Sequence, residues 1–570
     1  MKKSNSSHFR FLNYWHGLGA WNFYFLLKFV LLWYGYLNFD AFSNLLFIAF
    51  LIFPLPDNLL FKIRNWIAIP IGIILFYHDT WLPSFSTVLS QGSLLKQFSF
   101  DYLMELTANF INLKMIGVAF LLLVAYLFIE QWLRISVFII AGVLWLNIDG
   151  ITHFSQSMVP SVLANNAVSE NNISNKEEIN SASQSDVLVD KADAESANSF
   201  SLSSEPINSS SPQSLDNWLT QFYKGEKKRM TTFPTKLSSD AQPFDILIIN
   251  ICSLSTADMA AVGLQGHPLW GNFDVLFKQF NSVSSYSGPA SLRLLRASCG
   301  QGRHSELYDP TDTQCLLMDN LASLGFTKEL ALDHNGKFGN YLQEIQQLGD
   351  LNIEMQDQKG LSYQLTAFDG SKIYNDKETL SRWLQSREQS KDKRSVTFMN
   401  FVTLHDGNRF KGENSTADYG KRAVTLLDNL NNFINELDKK GRKVMVVVIP
   451  EHGAALQGDK TQMSGLRDIP SQRITTVPVG IRFTGIEEKG PRYSPTIVNK
   501  PSSYLAISEF ISRNVDGEVF KQSTIDWNTL INKLPQTEKV NENQGTTVVE
   551  YQNQSYIKLG EQGEWIHYPN

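Results

Sequence analysis

Apolar residues are unevenly distributed, and this constrains the fold more than any other feature of the sequence. Five apolar segments lie within the first 152 residues, and the remainder of the chain has the pattern of a soluble protein. A helix needs about 20 apolar residues to span a bilayer. The segments approach that length and occupy 21–37, 41–56, 65–82, 113–133 and 135–151, of which the second is the shortest. The pattern predicts a five-helix transmembrane domain over 1–152.

Basic residues flank alternate segments and predict the orientation. They precede the first segment, lie between the second and third, and lie between the fourth and fifth: Lys2, Lys3, Arg10, Lys62, Arg64 and Arg134. The other two loops contain a single basic residue, Lys96. The positive-inside rule then places the N-terminus in the cytoplasm, and an odd number of crossings places everything after residue 152 outside. Lys28, inside the first segment, either snorkels or pairs within the helix bundle, or it contacts a lipid headgroup.

A polar tether is predicted over 153–217. This region is rich in Ser, Asn and acidic residues, and Phe200 is the only aromatic residue between 155 and 217. Such a composition cannot bury enough apolar surface to fold. As a flexible chain of about 60 residues it would have a reach on the order of 40 Å.

Cysteine usage agrees with an exported domain. The three cysteines are Cys252, Cys299 and Cys315. The last two are 16 residues apart, and a disulfide closing a loop of that size contributes about 3 kcal/mol. An oxidising compartment favours that bond, which leaves Cys252 to be explained. The net charge of −6 gives no indication of nucleic-acid binding.

Residues 218–570 have the pattern of an α/β domain. Apolar runs predict strands at 244–251, 396–402 and 444–449, and a helical period predicts a helix at 417–440. Gly441 stands where a helix C-terminal cap belongs. Strand, helix and strand then form a βαβ unit, which implies parallel strands with a right-handed crossover.

Polar residues follow each of these three strands. Cys252 follows the first, His405 lies in "TLHDGN" after the second, and Glu451 and His452 follow the third. Taken singly, a cysteine is usually a small buried hydrophobe and a histidine is usually satisfied in the core. Ligands of open α/β sheets bind beyond the carboxyl ends of the strands. The convergence of these residues at one edge therefore favours a functional site.

Ser287 in "SYSGPA" is predicted to precede a helix at 290–297. A serine at that place is either an N-terminal cap or a nucleophile on the positive end of the helix dipole. A serine nucleophile needs activation by a base or a metal. A thiolate, a carboxylate, an imidazole and a serine oxygen together would form a four-coordinate zinc site of mixed ligands.

The motifs carry a family resemblance. They are "INICSLS", "SYSGPA", "LLRASCG", "PEHGAAL" and "GLRDIPS", with the opening "YWHGLGAWNFYFLLKF". The chain resembles the zinc-dependent phosphoethanolamine transferases of the alkaline phosphatase superfamily, and among them the bacterial branch that modifies cellulose. The resemblance covers nearly the whole chain except the tether. It implies a multi-pass α-helical membrane anchor and an alkaline-phosphatase/sulfatase-like α/β domain, with a mostly parallel central sheet flanked by helices.

The resemblance also implies residue roles. One Zn²⁺ would be held by Cys252, Ser287, Glu451 and His452. Ser287 would be the nucleophile and His405 the acid–base residue, and Tyr286 and Arg467 would bind phosphoryl oxygens. The implied donor is phosphatidylethanolamine and the implied acceptor is the glucose C6 hydroxyl of cellulose. The implied partner is the cellulose synthase complex, and the implied location is the bacterial inner membrane with a periplasmic catalytic domain.

Departures from the lipid A branch of that family restrict the prediction. That branch has Glu, Thr and Asp where this chain has Cys252, Ser287 and Glu451, and Arg467 lies where a second His often occurs. These differences argue against lipid A as acceptor and against a second zinc ion. The alternatives are transfer of phosphoethanolamine or glycerol phosphate to another periplasmic glycan or lipid, or an inactive scaffold of a polysaccharide-secretion complex. A sulfatase is disfavoured, because "SYSGPASLR" lacks the C/S-x-P-x-R pattern.

Two further predictions concern regions around the site. His334 in "DHNG" either lines the site or belongs to a turn. The C-terminal run is predicted to form one or two β-hairpins. Its aromatic residues would form a sugar-stacking surface or pack within the hairpins, the second being the commoner arrangement: Tyr551, Tyr556, Trp565 and Tyr568.

Overall fold

The computed structural model describes residues 17–33, 37, 39–55, 58–79, 113–156, 212–486, 494–522, 524–560 and 563–568. The chain divides into two compact units, one of residues 1–30, 39–79 and 122–210 and the other of 31–38, 80–121 and 211–570. Most of the predicted tether, residues 157–211, lies outside the described residues. So do four of the basic residues used to predict the orientation: Lys2, Lys3, Arg10 and Lys96.

A helix lies in each of the five predicted apolar segments. The helices are Trp21–Trp33, Ala41–Ile52, Asn58–Asp79, Leu113–Ile129 and Ile135–Gln156. Within the described residues, one stretch, Leu59–Asp79, is both long and apolar enough to cross a membrane, with a mean hydropathy of 1.7. The predicted helices are therefore confirmed, and five crossings remain a prediction.

Lys28 pairs within the bundle. Its Nζ lies 2.6 Å from Asp79 Oδ2 and donates to Asn44 Oδ1 at 2.7 Å. Asn44 Nδ2 also donates to Asp79 Oδ2, at 2.7 Å. All three side chains are buried, and they come from three different helices. A charge in such surroundings is tolerated when it is paired and hydrogen-bonded. Of the two alternatives for Lys28, pairing is confirmed.

The second unit contains the α/β domain. Its helices are Pro212–Glu226, Thr256–Ala261, Pro268–Gly271, Ser287–Leu295, Leu317–Ser323, Tyr341–Leu348, Asp376–Gln389, Tyr419–Lys439, Gln472–Thr475, Tyr504–Arg513 and Trp527–Ile531. Short 3₁₀ turns occupy Ser305–Tyr308, Thr313–Cys315, Phe338–Asn340 and Glu518–Lys521. The first helix begins at Pro212, so the predicted tether boundary at 217 falls inside it.

In the described part of the chain, fourteen strands form three sheets. They are β1 (Asp245–Ile251), β2 (Val275–Asn281), β3 (Thr327–Leu332), β4 (Tyr363–Thr366), β5 (Lys372–Tyr374), β6 (Ser395–Phe401), β7 (Arg409–Phe410), β8 (Val444–Pro450), β9 (Thr476–Thr484), β10 (Thr496–Val498), β11 (Val540–Asn543), β12 (Thr546–Tyr551), β13 (Gln554–Leu559) and β14 (Trp565–Tyr568). The central sheet has the order β10-β2-β9-β8-β1-β6-β3. Because β9 pairs antiparallel with both β8 and β2 while the other pairs are parallel, it alone runs opposite to the other six.

The central sheet is buried on both faces. In β1, Ile246 and Ile248 contribute to one apolar core, and Leu247 and Ile249 contribute to the other. Successive side chains of a strand point to opposite faces, so a strand covered on both sides becomes a continuous apolar run. Helices pack on each face, which confirms the predicted mostly parallel sheet flanked by helices.

The predicted helix at 417–440 is confirmed as Tyr419–Lys439. Its buried face consists of Ala423, Leu426, Leu427, Leu430, Phe433, Ile434 and Leu437, together with Arg422. Gly441 has a φ of 61°, a left-handed conformation that glycine adopts without strain after a helix end. The helix leads directly into β8, which pairs in parallel with β1.

The C-terminal strands form a separate four-stranded antiparallel sheet in the order β11-β12-β13-β14. The side chains of Tyr556, Trp565 and Tyr568 are buried in it. Tyr556 and Trp565 belong to one core with the helix Pro212–Glu226, and Trp565 Nε1 donates to Asp216 Oδ1 at 2.9 Å. The hairpins are confirmed. The sugar-stacking alternative is wrong for these three rings, because helix and sheet packing covers them.

The predicted disulfide joins Cys299 to Cys315, and Cys252 is free and buried. The bond closes the loop that follows the helix Ser287–Leu295. Cys299 also forms an isolated antiparallel bridge with Met230. The Met230 bridge therefore connects the segment after Pro212–Glu226 to the disulfide loop that follows the helix Ser287–Leu295.

Two carboxyl groups are buried together beyond the ends of β3 and β6. Thr403 Oγ1 lies 3.2 Å from Asp333 Oδ2 and 2.5 Å from Asp376 Oδ1, while Asp376 Oδ2 has no partner. Burial raises the pKa of Asp376 to about 6. Burial and the neighbouring Asp376 charge raise the pKa of Asp333 as well. Between about pH 4 and pH 6, the folded state therefore keeps protons on these carboxyl groups that the unfolded chain has already lost.

We expect Asp376→Asn to make the domain less sensitive to pH. Because the folded pKa of Asp376 lies above its unfolded value, this group lowers the free energy of unfolding as pH rises from about 4 towards 6. The asparagine cannot ionise. The variant should therefore have a free energy of unfolding higher than that of the unsubstituted protein by on the order of 2 kcal/mol at pH 7.5, and little changed at pH 4. Denaturant unfolding at both pH values measures the difference. The exposed Glu354→Gln is the control, and equal effects of Asp376→Asn at both pH values would contradict the assignment.

Candidate metal centre and nucleophile

Two neighbouring strands bring the predicted ligands to one edge of the sheet. In the parallel pair of β1 and β8, Ile251 is opposite Pro450, so Cys252 and Glu451 follow side by side. Backbone hydrogen bonds continue past the strand ends. Glu451 N donates to Ile251 O at 2.8 Å, and Leu254 N donates to His452 O at 2.7 Å. The predicted convergence is thus a consequence of parallel pairing.

Four side chains meet at this edge. One ligand atom each from Cys252, Glu451 and His452 lies within 4.8 Å of the others, and all three residues are buried. Ser287 Oγ lies 3.4 Å from Cys252 Sγ and 3.4 Å from His452 Nε2. The four predicted metal-binding residues are therefore together in the structure.

The helix Ser287–Leu295 positions the serine, and it begins earlier than predicted. The expected bounds were 290–297, whereas Ser287 is the first helical residue and Tyr286 occupies the cap position in an extended conformation. Pro289 lies within the first turn, where its missing N–H has no intrahelical acceptor to lose. Because helix residues four apart share a face, Ser287 and Ser291 both point towards Glu451.

One oxygen of Glu451 is satisfied and the other is not. Oε1 accepts from Asn400 Nδ2 at 2.6 Å and from Ser291 Oγ at 3.2 Å. Oε2 is buried and has no hydrogen-bond partner among the residues that the structure describes. An unpartnered buried carboxylate oxygen is costly. Its place beside a thiol, an imidazole nitrogen and a serine oxygen fits a cation ligand.

A chain of hydrogen bonds fixes the orientation of Asn400. Gly336 N donates to His334 Nδ1 at 3.1 Å, so the ring proton lies on Nε2, which donates to Asn400 Oδ1 at 3.0 Å. The Asn400 amide group is then directed at Glu451. Burial lowers the pKa of His334 to about 4, which keeps the ring neutral. His334, predicted either to line the site or to form a turn, lies behind the ligands and supports them.

The pKa shifts of Cys252, Glu451 and His452 favour a bound cation. Burial, followed by the charge of Glu451, raises the pKa of Cys252 to about 12. Burial raises the pKa of Glu451 and, with Arg467, lowers the pKa of His452. His452 Nδ1 lies 2.9 Å from Gly453 O, so it carries the proton and leaves the Nε2 lone pair facing the cluster. A cation between the thiol and the carboxylate would offset the cost of ionising both.

The donor set fits zinc. Sulfur, imidazole nitrogen and oxygen ligands in a group of four are typical of Zn²⁺ in proteins. Among the described residues, no other group of three or more His, Cys, Asp or Glu side chains could hold a metal ion. The described residues thus offer one candidate metal site, and the number of ions stays a prediction.

Arg467 and Tyr286 border the cluster. Arg467 Nη1 lies 3.3 Å from Ser253 Oγ and 3.2 Å from His452 Nδ1. Tyr286 Oη donates to Asp468 Oδ1 at 2.7 Å. Since Nδ1 of His452 already carries a proton, it cannot accept a hydrogen bond from the guanidinium. The acceptor that remains for Nη1 here is Ser253 Oγ, at 3.3 Å. The phosphoryl-binding roles of both residues stay predictions, and the Tyr286 hydroxyl is already engaged by Asp468.

His405 lies at the edge of the site and is half-buried. Its ring stacks on Phe368 with centroids 4.7 Å apart, and Nδ1 lies 2.8 Å from Asp406 O. Nδ1 is therefore protonated and Nε2 can accept a proton. Burial, followed by Arg467, lowers the pKa of His405 to about 4, so the ring is neutral at pH 7.

Several supporting residues were missed from the sequence. Asn250 Oδ1 accepts from Ser291 Oγ at 3.0 Å, and Asn543 Nδ2 donates to Ser285 Oγ at 2.6 Å and to Arg467 O at 3.1 Å. Asn250 and Asn400 interrupt the apolar strands "DILIINI" and "SVTFMNF". A polar amide inside a buried strand needs a partner, which was a usable signal. Asn543 comes from the C-terminal sheet, and no local pattern indicated it.

Comparison with known proteins identifies close relatives. A family model described as "Cellulose biosynthesis protein BcsG C-terminal domain" matches residues 201–565, and one described as "Cellulose biosynthesis protein BcsG N-terminal domain" matches 21–148. The cellulose biosynthesis protein BcsG of Salmonella typhimurium is 49% identical over 559 residues, which is 98% of this chain and 97% of that protein. The Escherichia coli protein of the same name is 48% identical over the same shares.

Solved structures give weaker likenesses. The C-terminal periplasmic domain of EcEptC from Escherichia coli has a TM-score of 0.40 at 11% identity, covering 60% of this chain and 96% of that chain. The corresponding domain of the phosphoethanolamine transferase EptC from Campylobacter jejuni has a TM-score of 0.33 at 14% identity, covering 54% of this chain and 100% of that chain. Both TM-scores are below 0.5, so neither likeness carries weight here.

We expect His334→Ala to weaken zinc binding by up to about ten-fold, the low end of the effect of removing a direct partner of a metal ligand, because His334 acts on Glu451 through Asn400. His334→Gln should stay within a few-fold of the unsubstituted protein, since its amide nitrogen can replace the Nε2 donor to Asn400. Competition with a chromogenic chelator, on the full-length protein in detergent, measures the affinity. The exposed His567→Ala is the control. Equal losses in the Ala and Gln variants would show that the hydrogen bond to Asn400 is not the cause.

Proposed function

Since the chain belongs to the cellulose biosynthesis protein BcsG family, we propose that it transfers phosphoethanolamine from phosphatidylethanolamine to the glucose C6 hydroxyls of cellulose. One observation carries the proposal. Ser287 Oγ lies 3.4 Å from both Cys252 Sγ and His452 Nε2. The partnerless Oε2 of Glu451 belongs to the same cluster. A serine among metal-binding side chains at a helix N-terminus is suited to attack on phosphorus.

In the first half-reaction Ser287 Oγ attacks the phosphorus of the lipid. The Oγ–P bond forms and the bond from phosphorus to the diacylglycerol oxygen breaks, so phosphoethanolamine is left on the serine. When bound by Cys252, Ser287, Glu451 and His452, Zn²⁺ would make the serine hydroxyl more acidic and neutralise phosphoryl charge. Backbone N–H groups at the start of Ser287–Leu295 face the same region and favour an anion there.

His405 would move the proton. Its neutral ring, with Nε2 unprotonated, can accept the Ser287 hydroxyl proton and pass it to the departing diacylglycerol oxygen. The ring returns to its neutral form at the end of that step. The same cycle then serves the second half-reaction. The lowered pKa of His405 keeps the ring neutral at pH 7, so each step would begin with Nε2 free to accept a proton.

In the second half-reaction the C6 hydroxyl of a glucose unit attacks the same phosphorus. The O6–P bond forms, the Oγ–P bond breaks, and the O6 proton passes through His405 to Ser287 Oγ. Arg467 would bind phosphoryl oxygens in both steps, because a guanidinium offers a planar fork of donors. Its position beside His452 and Ser253 supports that role.

The membrane location belongs to the same proposal. Several large side chains on the apolar helices are exposed, including Trp66, Trp145 and Phe120. Such a surface is suited to lipid rather than to water. The disulfide between Cys299 and Cys315 suits an oxidising compartment. We therefore infer a five-helix inner-membrane anchor over 1–152 with a cytoplasmic N-terminus, a tether, and a periplasmic catalytic domain, working beside the cellulose synthase complex.

The intact mass of the full-length protein, purified in detergent, tests the mechanism. Incubation with phosphatidylethanolamine should add one phosphoethanolamine group to the zinc-loaded protein, and Ser287→Ala should abolish the addition. Chelation of zinc should reduce the addition at least a hundred-fold, because serine alone is a poor nucleophile.

Ser386→Ala is the matched control, since that serine is exposed on the helix Asp376–Gln389. It should be labelled at the rate of the unsubstituted protein. An adduct that survives in Ser287→Ala would assign the nucleophile to another residue. A zinc-loaded protein that gains no mass while releasing no diacylglycerol would rule out this donor.

A further inference from the structure

A carboxylate lies beside the nucleophile, and no residue that the structure describes pairs with it. The helix Tyr341–Leu348 packs across the start of the helix Ser287–Leu295, where the Tyr341 hydroxyl is 2.9 Å from Ser291 Oγ. Glu344 follows Tyr341 by three residues and therefore lies one turn further along the same face. Its side chain extends to Gly288, the residue next to Ser287.

The close approach depends on the glycine. A Cβ atom added to Gly288 would lie 2.5 Å from Glu344 Oε2 and 3.2 Å from Oε1. Gly288 has no positive φ, so backbone conformation does not require glycine at this position. The missing side chain instead makes room for the carboxylate directly beside the reacting serine.

Within the described part of the chain, no hydrogen bond or ion pair satisfies Glu344. Burial raises the pKa of this half-buried side chain, which is the effect of losing water without gaining a donor. Arg293, a cation near Tyr308, is engaged elsewhere. Its Nε donates to Ser284 Oγ at 3.3 Å, its Nη1 donates to Gly302 O at 2.9 Å, and its Nη2 lies 3.8 Å from Glu542.

An aromatic side chain, Tyr308, lies within electrostatic range of Glu344. Tyr308 is 46% exposed, so its ring remains accessible to a ligand. Burial, followed by the charge of Glu344, raises the pKa of Tyr308 to about 12, so the two side chains lie close enough to interact. A carboxylate with an adjacent aromatic face is a combination that binds organic ammonium groups.

We propose that Glu344, with Tyr308, forms the subsite for the primary ammonium of the phosphoethanolamine group that is transferred to Ser287. The inference rests on the proposed function and adds the residue that recognises the headgroup. Only two carbons separate the phosphate oxygen from the ammonium, so a phosphorus at Ser287 Oγ places the ammonium in the immediate neighbourhood. Gly288, which follows Ser287, and Glu344, whose carboxylate lies against Gly288, belong to that neighbourhood.

The subsite explains how the enzyme selects its donor. A primary ammonium presents three N–H donors to a carboxylate, whereas a trimethylammonium presents none and a glycerol headgroup brings no charge. Loss of a charged hydrogen-bond partner costs about 1.5–3 kcal/mol, which corresponds to roughly a ten- to hundred-fold change in rate. Phosphatidylethanolamine is then preferred through its amine, independently of the metal ligands.

Two small probes separate recognition of the amine from reaction at phosphorus. p-Nitrophenyl phosphoethanolamine carries the ammonium, and ethyl p-nitrophenyl phosphate has the same skeleton without the amine. In each, Ser287 Oγ forms a bond to phosphorus and nitrophenolate leaves with the bonding electron pair. Initial nitrophenolate release and the intact mass of the full-length, zinc-loaded protein in detergent give kcat/KM and the adduct for each probe.

Glu344→Gln should lower kcat/KM for the amine probe about ten- to a hundred-fold and leave the amine-free probe within a few-fold. Glu344→Asp, which retains the charge, should recover part of the preference. Glu354→Gln, at an exposed position on the following loop, should leave the ratio of the two probes unchanged.

The outcomes distinguish the two proposals. If Glu344→Gln lowered kcat/KM equally for both probes, or for neither, the ratio of the two values would be unchanged. That result would overturn the ammonium subsite while leaving the transferase mechanism in place. An unsubstituted protein that releases nitrophenolate from neither probe and gains no mass would overturn the proposed function and the subsite with it.

Discussion

The parallel pairing of β1 with β6 and β8 is the constraint on which the site depends. Ile251 is opposite Phe401 on one side and Pro450 on the other, so all three strands end at the same level. Residues that are far apart in sequence, Cys252, His405 and Glu451, then leave the sheet at one edge. A register slip of one residue would turn the side chains of a strand to the opposite face. The burial of β1, β6 and β8 on both faces prevents that slip, because every residue of the three strands is packed.

The same burial makes the polar cluster expensive, and the surrounding amides compensate for it. Asn250 and Asn400 are buried in the sheet, where each unpaired amide would cost about as much as a lost hydrogen bond. Together with Ser291 they bond to each other, to Glu451 Oε1 and to backbone carbonyls. Among the described residues of this network, only Glu451 Oε2 is left without a donor. The network therefore presents a single carboxylate oxygen to the cluster, a geometry that would suit a cation taking one atom from each residue.

The sequence predicted the framework well because periodicity and strand-end position are local signals. The strands at 244–251, 396–402 and 444–449, the helix at 417–440, the disulfide and the family are confirmed. The convergence of Cys252, Ser287, Glu451 and His452 followed from parallel strands and from the family resemblance. The start of the helix at Ser287 was missed because Gly288 and Pro289 suggest a loop. The support from Asn543 and the approach of Glu344 to Gly288 are tertiary contacts between distant segments, and no spacing in the sequence encodes them.

The site has a buried side, the closed wall, and a half-buried side, the open wall. The proposed reaction needs both. Cys252, Glu451 and His452 form the closed wall, which excludes water and keeps the ligand atoms within 4.8 Å. Ser287, His405 and Glu344 are half-buried and form the open wall. In the proposed reaction a lipid and then a polysaccharide reach the same serine in turn, so the nucleophile cannot be sealed in. Its helix N-terminus satisfies both demands, because Ser287 Oγ lies against the closed wall while Ser287 and Gly288 remain partly exposed. In the proposed reaction, headgroup recognition belongs on the open wall, where the amine of a lipid could enter without displacing a residue that would bind the metal.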